Sequence, residues 1–475
     1  MAAKKMICLG LLLTCRAFAA EVRFVEVNPQ ATTGLRAKGT DRLFVAVGVN
    51  YFGPHIGWAP QLWRQFQAET VRQHLQMLRE QGFNAIRVFL TYDSFHRERG
   101  TVHPAGEDKF RQLISICHEL GIYVIPTGPD HWEGTPEWRR GADRLADDNL
   151  LQADEAWWRN FPGQWKDEPA ILAWDLLNEP MVTWDSPAMK PKWNAWLRQQ
   201  YGSVEKIASA WNLPAEKIGL LGNIAIPPKE PAPNNVRLLD YQRFRESIGD
   251  EWTRRLVAAI RGADPNHLIT IGHIQWAVPV YLPSVWHYAG FDLKANARHL
   301  DFMTIHFYPL APPRPCDGPE GLAYNTAYLE ALLYECSVGK PLMIGEFGWY
   351  GGGDLRVGDK VMMPAQSLAD QETWCRRLLE VSRGRVCGWL NWAFADTPTS
   401  RDLTRWSGLW TEDLQLKPWG RVFGEFARTM AAGDPDPARP FPPYLTSFPF
   451  DRRAMLTDPS TGPGYLRTLA SRPAR

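Results

Sequence analysis

The stretch that decides the fold is Ile171–Pro180, which reads Ile-Leu-Ala-Trp-Asp-Leu-Leu-Asn-Glu-Pro. Its first seven residues, Ile171–Leu177, are mostly apolar and include β-formers, which is typical of a strand buried on both faces. Pro180 has no N–H to donate to a ladder, so the strand is expected to end at Asn178-Glu179. A (β/α)8 barrel places its catalytic groups at such a strand end. Because Asn-Glu-Pro arises by chance in roughly one chain in twenty of this length, the motif needs support from elsewhere.

The rest of the chain alternates β-rich runs with amphipathic segments. Strands are predicted at Arg42–Asn50, Phe83–Leu90, Ile122–Pro126, Ile171–Leu177, His267–Ile271, Asp301–His306, Pro341–Gly345 and Val386–Trp392. Eight β-runs, nearly all separated by helical segments, favour a single (β/α)8 TIM barrel of the α/β class over a sandwich or a bundle. A doubly wound open sheet is the structural alternative, but no GxGxxG motif follows the first strand.

Two additions to a plain barrel are expected. Val22–Asn28 and the start of Arg42–Asn50 predict an N-terminal β-hairpin that leads into the first barrel strand. Lys192–Tyr201 and Val204–Trp211 predict a helical insertion after strand four, followed by the long amphipathic helix Val236–Arg261. The predicted organisation is a signal peptide at 1–19, a catalytic barrel at 20–432 and a peripheral Pro-rich C-terminal tail at 433–475.

The N-terminus has the pattern of an export signal. Lys4 and Lys5 precede the apolar run Met6–Leu13, and Ala17-Phe18-Ala19 is a small-x-small cleavage site. The run is too short to span a bilayer, and a buried N-terminal segment is the alternative reading. We therefore expect a secreted or periplasmic protein. Lipid anchoring at Cys15 is not expected, because the preceding threonine departs from the lipoprotein pattern.

Composition excludes several classes of function. Hydrophobic residues make up 45% of the chain, as in a globular protein with a substantial core. Without the signal the chain carries 50 basic and 52 acidic residues, so the basic face that nucleic acid requires is not expected. Outside the signal no apolar run predicts a membrane helix. With neither CxxC nor HExxH present, no metal or other cofactor is predicted.

Cysteine and tryptophan give two further expectations. After signal cleavage five cysteines remain, and Cys316–Cys336 could form a disulfide across one loop–helix unit in an exported chain. The 22 tryptophans are a high number. Many of them fall after predicted strands, where flat rings in a cleft suit ligands with apolar faces and polar edges, such as sugars.

Two carboxylates stand out at the predicted strand ends. Glu179 and Glu346 each directly follow an apolar strand, and a barrel brings strands four and seven across from each other. Two facing carboxyl groups suit glycosidic bond cleavage, because one must donate a proton and the other must be ionised. Burial and mutual repulsion would push their pKa values apart and so give each its role.

Polar and aromatic residues at other strand ends could serve the same site. Arg87 and Tyr308 are suited to hold one carboxylate ionised, and Asn178 could bind a ring hydroxyl. His131, His306 and Trp392 are further candidates for substrate contacts, with Trp392 as the floor under a sugar. Each has an alternative reading as a salt bridge, a structural histidine or core packing. Their shared location on one face of the barrel favours the joint interpretation.

On these residues the chain resembles the retaining glycoside hydrolases of clan A, most closely family 5, which contains cellulases and β-mannanases. The resemblance rests on Arg87, Asn178-Glu179-Pro180, His306-Phe307-Tyr308-Pro309, Gly345-Glu346-Phe347-Gly348 and Trp392. Val47-Gly48-Val49-Asn50-Tyr51 is similar to the start of mannanase-type members. The resemblance implies that Glu179 is the acid/base and Glu346 the nucleophile of a retaining reaction.

Two features depart from the family 5 pattern. His131 lies several residues past its predicted strand, and Lys192–Trp211 looks more like family 42 β-galactosidases. Such an insertion could wall off one side of a cleft and favour exo cleavage. The leading hypothesis is a retaining β-glycosidase acting on mannan- or glucan-type polysaccharide or oligosaccharide. The alternatives are an exo-acting β-galactosidase-like enzyme and, from another class, a non-catalytic carbohydrate-binding barrel.

Overall fold

The fold is described from a computed structural model of the protein. The structure describes residues 22–31, 34–54, 59–130, 134–432 and 438–472. The predicted signal peptide, with Cys15, and the candidate site residue His131 lie outside these residues. Among the helices that the structure describes, none combines the length and the apolar character needed to cross a membrane.

Eight parallel strands close into a barrel, which confirms the predicted fold class. The strands are β1 (Ala46–Asn50), β2 (Ala85–Thr91), β3 (Tyr123–Asp130), β4 (Ala173–Asn178), β5 (Leu268–His273), β6 (Met303–Phe307), β7 (Leu342–Phe347) and β8 (Gly388–Asn391). Each pairs with the next in chain order, and β8 pairs with β1 to close the barrel. All eight carboxyl ends therefore meet at one face of the molecule.

Helices connect the strands around the barrel. They are Ala59–Arg64, Ala68–Glu80, Tyr92–Phe95, Pro104–Leu120, Asp148–Trp165, Val236–Arg261, Leu293–Asn296, Pro319–Cys336, Leu368–Ser382 and Pro418–Ala432. Local signals fix several ends: the side chain of Asp147 accepts hydrogen bonds from two first-turn N–H groups, and Gly121 ends its helix at φ 68°. After β5 the barrel helix is reduced to Leu293–Asn296. The connection there is a long loop, which shapes one side of the carboxyl face.

The helical insertion after β4 is present at Met189–Tyr201 and Val204–Trp211. Its aromatic side chains join the main hydrophobic core: the Trp193 ring stacks on Trp211 and meets Tyr241 edge-on. A buried carboxylate, Asp240, accepts hydrogen bonds from Tyr201 Oη and from Trp211 Nε1. The insertion is therefore fixed to the helix Val236–Arg261 rather than loosely attached.

A three-stranded antiparallel sheet closes the opposite end of the barrel. It consists of Val25–Val27, Leu35–Ala37 and Leu43–Phe44, one strand more than the predicted hairpin. Val25 and Leu35 pack in one cluster with residues from the starts of the barrel strands, including Leu172. This sheet stabilises the amino-terminal end of the barrel and leaves the carboxyl face open to function.

A β-hairpin after β7 was not predicted from sequence. Gly353–Val357 pairs with Lys360–Gln366 around a turn. Trp406 fixes its base by donating from Nε1 to the Asp354 carbonyl at 3.0 Å. The strand Lys360–Gln366 is largely exposed, so the segment has no buried apolar face to mark it as a strand in the sequence.

The C-terminal segment packs on the barrel. It forms three helices, Pro443–Ser447, Arg452–Thr457 and Thr461–Ala470. Its buried residues are Leu445, Met455, Leu456, Leu466 and Leu469. Arg452 Nη2 donates to Tyr288 Oη at 2.8 Å, and Gln242 Nε2 donates to the Leu456 carbonyl at 3.3 Å. A Cβ at Gly462 would lie 2.4 Å from the Val280 carbonyl oxygen. The segment therefore supports the loop after β5.

The cysteines in the described part of the chain are free thiols. Cys117, Cys336, Cys375 and Cys387 are buried, and Cys316 is half-buried. The expected Cys316–Cys336 disulfide is therefore wrong for this structure. Burial raises the pKa of the Cys316 thiol to about 12, which leaves it protonated and unreactive at neutral pH.

Candidate active site

Glu179 stands one residue beyond the end of β4, in an unusual backbone conformation. Its φ of 46° lies in the left-handed region, which glutamate seldom adopts. The conformation is held because its N–H donates to the Gly272 carbonyl of β5 at 2.8 Å. The proline that follows cannot extend the strand, so the chain turns here. The side chain is 27% exposed, which leaves the carboxyl group at the surface of the site.

Glu346 lies inside β7 and is almost fully buried. Arg87 Nη1 donates to its Oε1 at 2.6 Å, and Tyr308 Oη donates to its Oε2 at 2.8 Å. Both carboxylate oxygens therefore receive a short hydrogen bond, one of them from a cation. Burial and the nearby carboxylate of Glu346 raise the pKa of Tyr308, so the phenol keeps the proton that it donates.

Arg87 organises the floor of the site. Its side chain is fully buried in β2, and it donates to Asp175 Oδ2 at 2.9 Å, to Asn50 Oδ1 at 3.0 Å and to Asn178 Oδ1 at 2.9 Å. Together with the bond to Glu346, these contacts join β1, β2, β4 and β7. The guanidinium group thus has one orientation, set by a planar network of acceptors.

Asp175 and Asn50 were not among the predicted site residues. Asp175 accepts from Arg87 and Thr127 through Oδ2, and from the Gly272 N–H through Oδ1 at 2.7 Å. One feature of the sequence could have indicated Asp175: it is the one acidic residue in the otherwise apolar run of β4, and a buried charge requires a partner. Asn50 ends β1 and donates to the Gly345 carbonyl at 3.0 Å. Both are supports beneath the carboxylates.

His306 lies between the two glutamates. Its Nδ1 is 3.0 Å from Glu179 Oε1 and 3.4 Å from Glu346 Oε1. Burial lowers the pKa of His306 to about 4, so the ring is neutral at pH 7, and in the tautomer with its proton on Nδ1 it can donate to a glutamate oxygen. A Cβ at Gly272 or at Gly345 would approach His306 Nε2 to 3.0 or 3.1 Å. The small residues at these positions make room for the imidazole.

The two carboxyl groups differ in how well their charge is stabilised. Burial raises the pKa of Glu179 to about 7; Arg87 acts against this rise, and the Asp130 carboxylate adds to it. Burial also raises the pKa of Glu346, but His306, Arg87 and the Tyr308 hydrogen bond oppose the rise. Since only Glu346 accepts from a cation, a proton shared by the pair belongs on Glu179.

The two carboxyl groups are close enough to act on one bond. An oxygen of Glu179, an oxygen of Glu346 and a ring nitrogen of His306 all lie within 4.8 Å of one another. Such a cluster could also hold a metal ion, but Arg87 already places a positive charge against Glu346. Glycosidases that retain anomeric configuration keep their two carboxyl groups about 5–5.5 Å apart, against about 6.5–9.5 Å in inverting enzymes. The short separation is compatible with the retaining class.

Trp392 borders the site at the end of β8. It is 7% exposed, and its Nε1 donates to Thr404 Oγ1 at 2.8 Å. Its ring packs against Phe52 and Phe89. The side chain is therefore fixed in one orientation, as a rigid wall of the carboxyl face. Its predicted contact with a sugar remains a prediction.

The structure brings together most of the predicted site residues. Arg87, Asn178, Glu179, His306, Tyr308 and Glu346 form one hydrogen-bonded group. Trp392 follows Asn391 of β8, beside β7. His131 lies outside the described residues. A buried carboxylate held by an arginine, opposite a partly exposed carboxyl group whose pKa is raised, is an arrangement suited to glycosidic bonds.

Known glycoside hydrolases resemble this chain in sequence and in fold. A family model described as beta-galactosidase, glycoside hydrolase family 42, matches residues 140–348. Beta-galactosidase BgaH of Haloferax lucentense is 25% identical over 56% of this chain and 40% of that protein. A putative mannan endo-1,4-beta-mannosidase 9 of Oryza sativa is 22% identical over 51% of this chain and 53% of that protein. The chain thus spans about half, or less, of the curated relatives it matches.

A solved structure covers more of the chain. A GH5_18 protein of Streptomyces cattleya, in complex with Manβ1-4GlcNAc, superimposes with a TM-score of 0.62 over 90% of this chain and 91% of that one, at 18% identity. At that identity the likeness shows the fold. Together, the barrel and these relatives show that the chain resembles the glycoside hydrolases of clan A. The matching family model is that of family 42, and the superimposed solved structure is a GH5_18 protein.

Proposed function

We propose that the protein is a retaining β-glycosidase in which Glu179 is the acid/base and Glu346 the nucleophile. The observation that carries the proposal is the unequal support of the two carboxyl groups. Glu346 accepts hydrogen bonds from Arg87 and Tyr308, whereas burial raises the pKa of Glu179 to about 7. The arginine and the phenol favour the ionised form of Glu346, and the raised pKa lets Glu179 keep its proton closer to neutral pH, which gives the two groups the roles that the reaction requires.

The first half of the reaction forms an ester. A Glu346 oxygen attacks the anomeric carbon while the bond from that carbon to the glycosidic oxygen breaks. The proton of Glu179 passes to the departing oxygen, so the leaving group departs as a neutral alcohol. The Glu346 ester is neutral, so Arg87 is left with Asp175 as its remaining charged partner. His306 can donate its Nδ1–H to the Glu179 carboxylate that has just formed.

The second half of the reaction releases the sugar. The Glu179 carboxylate takes a proton from water, and the water oxygen attacks the anomeric carbon as the bond to Glu346 breaks. This restores the proton on Glu179 and the charge on Glu346. Two inversions at one carbon give net retention. Arg87 and Tyr308 stabilise the Glu346 carboxylate as it leaves.

For the substrate we propose a β-mannosyl unit at the end of an oligosaccharide. Support comes from the Streptomyces cattleya protein, whose bound ligand is Manβ1-4GlcNAc, and from the mannan-cleaving relative. The insertion at Met189–Trp211 adds bulk beside β4, which favours release of terminal units over cleavage within a long chain. Longer mannan- or glucan-type chains remain the wider substrate class.

A β-galactoside is the second candidate substrate. The family 42 model covers the acid/base region and the insertion, and BgaH is a β-galactosidase by name. Mannosides and galactosides differ in the orientation of two ring hydroxyls. One barrel with the same carboxyl pair can therefore serve either, depending on the groups that contact those hydroxyls.

The test is hydrolysis of aryl β-mannoside, β-galactoside and β-glucoside, with the first product followed by proton NMR. We expect turnover with a β-configured first product. An α-configured product would rule out retention, and no turnover of any glycoside or glycan, with sugar binding intact, would favour the non-catalytic barrel. Chromatography of products from mannan and manno-oligosaccharides distinguishes exo from endo cleavage.

We also propose that the protein is exported. The proposal rests on the charged start, the apolar run Met6–Leu13 and the cleavage pattern ending at Ala19. Expression of the full chain in a bacterial host, followed by N-terminal sequencing of extracytoplasmic protein, should give Ala20 as the first residue. Retention of the intact N-terminus in the cytoplasm would contradict export.

A further inference from the structure

Beside the acid/base, the loop after β3 places an ion pair that the proposed mechanism does not use. Asp130 is the last residue of β3 and is 3% exposed. Arg144 Nη2 donates to its Oδ1 at 2.7 Å. Thr127 of β3 pairs with Asp175 of β4, so the ends of the two strands are neighbours. The Asp130 carboxylate is close enough to raise the pKa of Glu179 electrostatically.

The backbone leading to Asp130 is irregular in a way that directs its side chain. The pairing of β2 with β3 shifts register between Phe89 and Thr91, which sets Thr91 opposite Asp130. Gly128 has φ 108°, and a Cβ there would lie 2.6 Å from the Asp130 nitrogen. Register shifts of this kind next to active sites re-aim side chains. A regular strand would carry this carboxylate to a different position.

The two arginines of this loop have different surroundings. Arg139 forms two hydrogen bonds to Asp154, and the side chains are 3% and 11% exposed, so this pair anchors the loop. Arg144 is 44% exposed although Asp130, its partner, is buried. In this pair the Asp130 carboxylate is therefore buried near Glu179, and the Arg144 side chain reaches solvent. An anchoring role alone does not require that exposure, because Arg139 already holds the loop.

The Thr91 hydroxyl is a further polar group beside Asp130. Thr91 is fully buried at the end of β2, and its Oγ1 has no hydrogen-bond partner among the residues that the structure describes. Buried hydroxyl groups are normally satisfied, so this unpaired hydroxyl opposite Asp130 is available to a ligand or a water molecule. Thr91 and Arg144 thus add a hydroxyl and a cation beside the Asp130 carboxylate.

We propose that Asp130 and Arg144 form a hydroxyl-reading pair: Asp130 accepts a hydrogen bond from a ring hydroxyl of the bound sugar, and Arg144 orients the carboxylate. The inference rests on the proposed function and assigns the choice of sugar epimer to this pair. If the bound epimer lacks that hydroxyl, no hydrogen bond from the sugar compensates for removing water from the carboxylate, so a site of this kind rejects the wrong epimer strongly. By contrast, the apolar ring of Trp392 would offer contact area to a sugar but would distinguish little between epimers.

The experiment compares wild type with Asp130→Asn and Asp130→Ala on aryl β-mannoside, β-galactoside and β-glucoside. We expect kcat/KM for the preferred epimer to fall by about a hundredfold or more, and for the other two by less than about tenfold. The preference of the enzyme should therefore collapse. Equal losses on all three sugars would overturn the inference, because an anchoring role or a changed Glu179 acts on every epimer alike.

Asp240→Asn is the matched control. Asp240 is equally buried and accepts two hydrogen bonds, but its partners are in the insertion. This variant should lower thermal stability and leave the ratios of kcat/KM among the three sugars unchanged. If it changed the ratios as much as Asp130→Asn does, a general loosening of the fold would explain both results, and the hydroxyl-reading role would be wrong.

Calorimetric binding of the three methyl β-glycosides separates this inference from the proposed function. If wild type hydrolyses no glycoside but binds one epimer selectively, and Asp130→Ala abolishes that selectivity, the hydrolase proposal fails and the pair stands. If wild type binds none of the three, or if Asp130→Ala binds all three as wild type does, the inference is overturned.

Discussion

Arg87 and Asp175 form a fully buried ion pair between β2 and β4, with Nη2 2.8 Å from Oδ2 and side chains 0% and 1% exposed. Because Asp175 already neutralises much of the Arg87 charge, this guanidinium group cannot fully compensate two further carboxylates. Glu346 receives the direct bond at 2.6 Å, and Glu179 receives none from Arg87. The buried pair thus helps to decide which glutamate is left to carry a proton.

The pH dependence of activity should reflect Glu179. Its pKa of about 7 means that the proton needed for the first step is lost as the pH rises through that value. We expect kcat/KM on substrates with poor leaving groups to fall tenfold per pH unit above about 8. Stopped assays of kcat/KM between pH 4 and 9 measure this decrease at alkaline pH. An activity that stays flat to pH 9 would contradict the assignment of the acid.

Removing either glutamate should have different consequences. Glu346→Ala removes the nucleophile and is expected to lose nearly all activity on every glycoside. Glu179→Ala should lose far less on aryl glycosides with acidic phenol leaving groups, which need little protonation, than on alkyl glycosides. Steady-state kinetics across a leaving-group series tests this. Equal losses along the series would remove Glu179 from the acid role.

Glu179→Gln should stabilise the protein at alkaline pH. The pKa of Glu179 is raised in the folded state, so the favourable contribution of the protonated group is lost as the pH rises above the unfolded value of about 4.3. The glutamine cannot ionise. We expect a gain of roughly 1–3 kcal/mol in unfolding free energy at pH 8 and little change at pH 4. Denaturant titrations at the two pH values measure the difference; a gain of the same size at both would exclude ionisation as the cause.

Asp175→Asn should damage both stability and catalysis. The variant removes a negative charge that balances the buried Arg87 guanidinium group, and breaking a buried ion pair costs about 3–5 kcal/mol of unfolding free energy. Activity should fall because Arg87 is no longer held against Glu346. Thermal unfolding and kcat on an aryl glycoside report the two effects. The control is Asp354→Asn in the hairpin after β7. The Asp354 carboxylate pairs with the exposed Arg356 side chain, so this substitution should have little effect on stability or on kcat.

Two glycines of the last helix offer a matched test of the C-terminal segment. A Cβ at Gly462 would lie 2.4 Å from the Val280 carbonyl, whereas Gly464 has nothing within 4 Å. Gly462→Ala should displace the helix from the loop after β5 and lower the melting temperature and kcat. Gly464→Ala should be neutral or stabilise by up to about 1 kcal/mol through helix propensity. Similar effects of the two substitutions would show that contact with Val280 does not matter.

The order of the barrel elements could be predicted because local patterns determine them. The helix Val236–Arg261 has the bounds expected from its periodicity, and Glu179 follows β4 because a proline ends the strand. The partners of Asp175 could not be predicted, because Arg87 is 88 residues away and only the closed barrel brings them together. The hairpin Gly353–Val357 to Lys360–Gln366 was missed because its second strand lacks a buried face.

The expected Cys316–Cys336 disulfide failed for a related reason. Spacing along the chain suggested a loop–helix unit that could be cross-linked, but spacing does not give the direction of the side chains. In the fold Cys336 is buried in its helix, while the Cys316 thiol faces the Asp370 carbonyl at 4.0 Å. Helices in the C-terminal tail were hidden by its prolines, which begin a helix as readily as they end one: Pro443 is the first residue of Pro443–Ser447.

The support that Arg452–Thr457 and Thr461–Ala470 give to the loop after β5 has a consequence for biosynthesis. That loop carries Gln275, whose side-chain oxygen accepts from the Tyr308 N–H at 2.8 Å. Translation adds about 5–20 residues per second, so the barrel strands leave the ribosome well before these helices are made. A nascent chain can therefore close its barrel without a finished site. Ribosomes stalled short of residue 452 should display a folded but nearly inactive barrel.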